Sequence, residues 1–206
     1  MPEILFYGAL FIGVIPIIIL FVEKKQFSTI YGIAPFIWIT AFATVYEFLG
    51  TIIFKINTNY WFQIYSILEF TGVYFYYYQL FKNKYEKSLK ILSIVWIITY
   101  SISFLYWDSS NKATALAINS CSISVFVFYY SFCYFKCLIE YTERNLLNNP
   151  NFYFVVGFSI YYATTILLFL SSKFLFEMGE YNFWWVNIIA TLFLRILLIL
   201  GVWKIK

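Results

Sequence analysis

A chain of 206 residues that is 63% hydrophobic, 25% aromatic and only 12% charged carries far more apolar side chain than a soluble domain of this length can hide. Lipid has to cover the excess, so the chain reads as an all-α integral membrane protein. The formal charge of +4 would call for a polyanion in a soluble protein. Here the basic residues sit at the ends of apolar runs, where membrane topology accounts for them and no direct nucleic-acid contact is required.

Runs of about 20 residues with little charge, enough to cross roughly 30 Å of hydrocarbon at 1.5 Å per residue, fall at 4–22, 34–54, 60–81, 91–106, 113–135, 152–174 and 183–203. The first opens beside Glu3, where a secretory signal would be basic, and no small-residue cleavage site precedes Glu23, so it reads as a retained helix. Pro16 predicts a kink that membrane helices tolerate, and Pro35 occupies the first turn of the second helix, where its missing N–H is no loss. The fourth run is the shortest and ends on Tyr106 and Trp107, aromatics suited to a headgroup boundary.

Between the fifth and sixth runs lies the longest connection, in which Glu140, Glu143 and Arg144 extend the fifth helix beyond the membrane. Asn148, Asn149, Pro150 and Asn151 then stop one helix and start the next, because proline fixes its own φ and pushes its predecessor out of the helical region. No connection is long enough to fold alone, so residues 1–206 read as a single transmembrane domain.

Lys and Arg at or beyond the ends of these runs alternate between rich and poor connections. Lys24, Lys25, Lys82, Lys84, Lys87, Lys90, Lys136, Arg144, Lys204 and Lys206 fall on one side, against Lys55, Lys112 and Lys173 on the other. The positive-inside bias places the first group in the cytoplasm, with the amino terminus outside and the carboxyl terminus inside. An even number of helices would scramble that alternation, so the expected fold is a seven-transmembrane-helix bundle. Cys121, Cys133 and Cys137 all belong to the fifth helix or its cytoplasmic end. A reducing compartment and helical geometry argue against a disulfide, which leaves packing residues or a lipidated or redox-sensing thiol.

Away from the run ends, three acidic or basic residues lie within the runs: Glu47, Glu69 and Arg195. Insertion scales put an Arg at mid-bilayer at about 2.5 to 3.5 kcal/mol, so such residues are expected to face the bundle interior and pair. Glu47 precedes the outer end of its run by seven residues and Glu69 follows the outer start of its own by nine, which at 1.5 Å per residue is about 10 and 13 Å down. Arg195 is about 18 Å down, but helical side chains tilt toward the amino terminus, here outward, so a long guanidinium closes the gap.

Polar residues repeat at helical spacing around these charges. Thr40, Thr44, Glu47 and Thr51 share one face of the second helix, Gln63, Ser66 and Glu69 repeat every three residues on the third, and Asn187, Thr191 and Arg195 repeat every four on the seventh. The pattern predicts a polar core shared by helices two, three and seven, which Asn119, Ser120 and Ser124 of the fifth could complete.

That core has three readings. It fixes helix packing and does nothing more; it forms a ligand, ion or gating site, the default for intramembrane charge; or its two carboxylates share a proton for chemistry on a lipid. The chain holds no His, no Asp within a run and no nucleophile in a motif, so no catalytic residue, metal or cofactor is expected and the protein does not read as an enzyme. A retinal protein is excluded as well, because the last helix offers Arg195 where a Schiff base needs lysine. The aromatic run Tyr74 to Tyr78 reads as interfacial belt and packing, with a quinone or headgroup pocket as the alternative.

Seven helices can also arise as three, a linker helix, and three more, as in small sugar transporters built from parallel repeats. Asn59, Tyr60, Trp61 and Phe62 before the third helix resemble Asn182, Phe183, Trp184 and Trp185 before the seventh, the match such a duplication predicts.

In size, apolar content and absence of catalytic motifs the chain resembles the small multi-pass membrane proteins of bacteria, among them the accessory proteins encoded beside type VI-B RNA-guided RNases. The stretches from Lys55, Ile56 and Asn57 through Tyr60, Trp61 and Phe62, and from Leu146 through Pro150, Asn151 and Phe152, carry that likeness. No functional residue is transferred by it. The resemblance implies the bacterial inner membrane and a role in antiphage, CRISPR-associated defence, modulating the RNase or altering membrane permeability.

The leading expectation is a non-enzymatic sensor, regulator or accessory effector that meets a cytosolic protein partner through the basic loop of Lys82, Lys84, Lys87 and Lys90, for which anionic lipid competes. A channel, pore or small-solute transporter using the buried Glu/Arg core is the alternative, and a pore would call for a homo-oligomer.

Overall fold

A computed structural model describes residues 2–23, 32–56, 59–81, 84–107, 112–140, 145–178 and 183–205. Of the residues singled out above, Lys24, Lys25, Asn57, Lys82, Glu143, Arg144, Asn182 and Lys206 lie outside the described ones. The described residues contain no strand and form seven long helices: α1 (Pro2–Val22), α2 (Ala34–Tyr46), α3 (Asn59–Phe81), α4 (Glu86–Ser103), α5 (Lys112–Glu140), α6 (Pro150–Glu177) and α7 (Trp184–Lys204).

Pro35 stands in the first turn of α2 and Pro16 inside α1, as their chemistry allows. Asn149 is extended (φ −86°, ψ 113°) before Pro150, and its Oδ1 accepts a bond from the Asn151 amide at 2.9 Å, which satisfies a donor at the start of α6. α5 runs on to Glu140, and α4 begins at Glu86, so that Lys87 and Lys90 ride on its first turn and a half.

α2 does not end as an α-helix. Residues Glu47–Ile53 continue it with π-helical winding, closed by the Phe54 amide bonding the Leu49 carbonyl at 2.9 Å, before Lys55 turns the chain with φ 50°. Such winding is rare and gathers at functional sites.

Five stretches are long and apolar enough to cross a membrane: Ala34–Ile53, Glu86–Tyr106, Ala113–Glu140, Pro150–Leu175 and Trp184–Lys204. Tyr7–Val22 is a shorter apolar helix, and α3, although 23 residues long, falls below them in hydropathy because it carries Gln63, Glu69 and six tyrosines. Most of those polar groups turn inward, so α3 needs less apolar surface than a helix bathed in lipid.

α1 packs on α2 and α7, α2 on α3, α3 on α5, α5 on α6 and α6 on α7, which closes a ring of six helices. α4 packs against α3 and α5 from outside it. Only 17% of the most apolar part of α4 is buried, against 33% to 44% in the other four stretches, and Ile91, Ile94, Val95, Ile97 and Ile98 are exposed. The neighbour pattern of α1, α2 and α3 repeats in α5, α6 and α7, each triplet's third helix touching the other's first.

Aromatic side chains fill the half of the ring opposite the buried charges. Phe70 stacks on Trp96 with centroids 3.9 Å apart and meets Phe126 edge-on, while the Tyr77 hydroxyl bonds Ser131 at 2.8 Å. Each such ring pair adds about 0.5 to 1.5 kcal/mol beyond burial. Tyr76 and Tyr77 are therefore core residues, not members of an interfacial belt. Close approach of α6 and α7 depends on Gly201, where a Cβ would stand 2.2 Å from the Phe154 ring.

Candidate functional site

Glu47 just after α2, Glu69 in the first half of α3 and Arg195 at the middle of α7 border one cavity of about 200 Å³ inside the ring. Thr40, Ser66, Asn187 and Thr191 line it as well. Eight of the ten residues on the three stripes converge, since Thr44 holds Arg195 from behind.

The manner of convergence differs from expectation. Among the described residues no ion pair joins Arg195 to Glu47 or Glu69. The guanidinium instead grips neutral groups: Nη1 donates to the Ala9 carbonyl of α1, and Nη2 to Thr44 Oγ1 at 3.1 Å. Thr44 can accept because its own hydroxyl proton goes to the Thr40 carbonyl at 2.8 Å. The guanidinium lies over Gly13, where a Cβ would be 2.8 Å from Cζ, so bare backbone in α1 makes the room. Arg195 is 6% exposed, and its Nε finds no partner, as does the buried Oδ1 of Asn187.

Glu69 accepts a hydrogen bond from the Tyr162 hydroxyl at 2.9 Å. α6 therefore contributes to the core, through Tyr161, Tyr162 and Thr165, where the sequence reading had admitted only helices two, three, five and seven. The signal was present as Tyr-Tyr-Ala-Thr-Thr in mid-helix, but tyrosine reads equally well as packing.

Two expected members face elsewhere. Thr51 is exposed, because π winding turns each residue by less than the α-helical step and carries it off the stripe. At about 100° per residue, six residues leave Gln63 and Glu69 roughly 120° apart. Gln63 accordingly turns to α4 and α5, donating to Ser103 Oγ at 2.9 Å and accepting from Asn119 Nδ2 at 3.0 Å. Ser120 does line the cavity, whereas Ser124 bonds back to the Ser120 carbonyl at 2.7 Å.

Aromatic rings bound the cavity at both ends. Phe36 against Phe158, edge-on at 4.8 Å, forms the floor; Trp61, stacked on Tyr46 at 3.9 Å, and Trp184, edge-on to Phe169 at 5.9 Å, stand at the rim. The two tryptophans are the ones the sequence comparison of the third and seventh helices pairs, Trp61 on α3 and Trp184 on α7.

Charge at the opposite end of the bundle is balanced in part. Lys90 pairs with Glu86 at 2.6 Å, and Glu140 lies 3.8 Å from Lys136 and 4.0 Å from Lys84. Lys84 also reaches Cys137 Sγ at 3.4 Å; the three cysteines are free. Four lysines in one loop thus overstate the positive charge on offer, since Lys84 and Lys90 have acids beside them and Lys87 is exposed.

Comparison with protein-family models, curated proteins and solved structures finds no match to this chain. What it does must be argued from its own side chains.

Proposed function

We propose that this chain crosses the bacterial inner membrane seven times, amino terminus outside, and is a non-enzymatic protein that binds and moves a small solute between its two halves. The observation that carries the reading is the unfinished core. A network serving packing alone would close on itself, whereas here two carboxylates with acceptor positions unspent line a common space, and two further residues of that lining, Arg195 and Asn187, each hold a buried polar atom without a partner. Its location between repeated triplets is where carriers of parallel-repeat design hold substrate.

The lining positions support the alternating path. They come early in α1, α3, α5 and α7 and reach late into α2 and α6, as an up-and-down chain requires if one end of the bundle holds the site. Charge alternation then orients that end outward.

A single cysteine at Thr165, in a chain whose Cys121, Cys133 and Cys137 are replaced by alanine, tests this without knowing the solute. Membrane-impermeant maleimide should modify it from outside in whole cells and from inside in inverted vesicles, which is alternating access. Labelling from one side alone would leave a binding site that senses rather than carries. Absence of labelling from either side would reduce the core to packing.

The sensor reading, with a cytosolic partner and a place in antiphage defence, is supported by the resemblance and by exposed Lys87 at the inner end. Pull-down from membranes that is unchanged by replacing Lys82, Lys84, Lys87 and Lys90 would remove that version.

A further inference from the structure

Resting on the solute-binding reading, we propose that the cavity takes a small monocationic amine that also bears an acceptor oxygen, an amino alcohol in its simplest form. Three features of the lining select this chemistry.

The first is the count of charges. Glu47 and Glu69 oppose a single guanidinium, and that guanidinium is held by Ala9 and Thr44 away from them. With both carboxylates ionised the cavity is one positive charge short of neutral, and buried charge is tolerated when it is paired.

The second is the pattern of unmet hydrogen bonds. Asn187 Oδ1 is an acceptor without a donor, Glu69 receives one bond, from Tyr162, and no donor among the described residues reaches the Glu47 carboxylate. An ammonium group brings three donors to such a set. Arg195 Nε is the opposite case, a buried donor without an acceptor, in a residue more than nine-tenths buried. That nitrogen is closed to solvent where it stands, so one oxygen on the ligand, a short carbon chain away from the ligand nitrogen, answers it after a shift of the side chains that cover it.

The third is the wall. Tyr65, Tyr161 and Trp61 line the same space, and an aromatic wall favours an organic ammonium over a bare ion. No group of three His, Cys, Asp or Glu among the described residues could hold a metal ion. A cavity of about 200 Å³ is many times the space of about 10 to 15 Å³ that holds one water, and gives room for a molecule of several heavy atoms.

The test is calorimetric titration of the purified full chain in detergent micelles with ethanolamine, propylamine, glycine, acetate and potassium chloride. Ethanolamine is expected to bind, propylamine about tenfold more weakly for want of the oxygen, and glycine, acetate and potassium at least a hundredfold more weakly. Glu47→Gln and Glu69→Gln should each weaken ethanolamine at least tenfold, and Asn187→Leu several-fold. Where a variant fails to assemble, the probe series on the unmodified chain decides alone. Glycine or acetate binding more tightly than ethanolamine would overturn the amine class while leaving a solute site in place. Ethanolamine bound equally by wild type and both Gln variants, or not bound at all, would overturn the proposal. Failure of Thr165 to label from either side is the separate result that would end the solute-binding reading beneath it.

Discussion

Arg195 rests on the bare backbone of Gly13: a Cβ there would stand 2.8 Å from the guanidinium carbon and 2.5 Å from Thr44 Oγ1, so one missing methyl on α1 lets a cation from α7 reach α1 and α2 together. Gly13→Ala should push the guanidinium off the Ala9 carbonyl and Thr44, with a loss of about 1 to 3 kcal/mol typical of overpacking. Arg195→Met should also destabilise, because the Ala9 carbonyl and Thr44 lose the donors that tie α1 and α2 to α7. The two changes share one space, so the double variant is expected to lose less than the sum, with a coupling of about 0.5 to 3 kcal/mol. Reversible unfolding in mixed micelles measures it; strict additivity would mean that the contact does not exist.

Alanine at other glycines should act with opposite signs. At Gly50, in the π-helical end of α2, the nearest atoms are Tyr46 Cε2 and Cζ at 3.4 Å, an ordinary contact, and alanine there is expected to stabilise by about 0.4 to 1 kcal/mol by restricting the unfolded chain. At Gly201 the Phe154 ring is 2.2 Å from the added carbon and is itself buried, so Gly201→Ala should destabilise by about 1 to 3 kcal/mol. Melting temperatures of the two variants in one detergent give the comparison, and a shift in the same direction for both would contradict the packing described.

Much of this site was legible because helical rise is uniform. Counting residues from the outer ends placed Glu47, Glu69 and Arg195 near one level, and they do border one cavity. What sequence spacing could not show was the partner of Arg195, since a backbone carbonyl at Ala9 has no signature and Gly13 in an apolar helix reads as packing. The π winding after Glu47 was equally silent, and it is what moves Thr51 outward. Tyr162 went unread because its ring and its hydroxyl argue for different surroundings. In the fold, the helices and the Asn149–Pro150 break followed from local chemistry, while the position of α4 outside the ring depends on contacts between distant segments.

Orientation is open to a direct check. In the chain lacking its native cysteines, Lys55→Cys between α2 and α3 is expected to label from outside, and Lys87→Cys at the start of α4 from the cytoplasm. Helix α3 separates the two positions, so labelling from the same face would show that α3, which is not among the stretches apolar enough to cross a membrane, does not cross. Charge alternation would then have to be recounted over a different number of spans.

Gln63 and Glu69 stand two turns apart on α3 and should separate stability from binding. Gln63 joins three helices: it bonds Ser103 and Asn119, and its carbonyl accepts from the Tyr100 hydroxyl at 3.1 Å. Gln63→Leu leaves the Asn119 amide and the Ser103 hydroxyl without that partner, and Asn119 Oδ1 already has none. Interhelical hydrogen bonds in membranes average about 0.6 kcal/mol with a maximum near 1.7, so the loss of two should cost about 1 to 3 kcal/mol. Glu69→Gln keeps an oxygen for Tyr162 and the same shape, and should change stability by less than about 0.6 kcal/mol. Unfolding midpoints and ethanolamine titration on the same two proteins give four numbers. A stable Gln63→Leu protein together with an unfolded Glu69→Gln protein would mean that the carboxylate holds the bundle together and the amide does not, which is the reverse of the arrangement argued here.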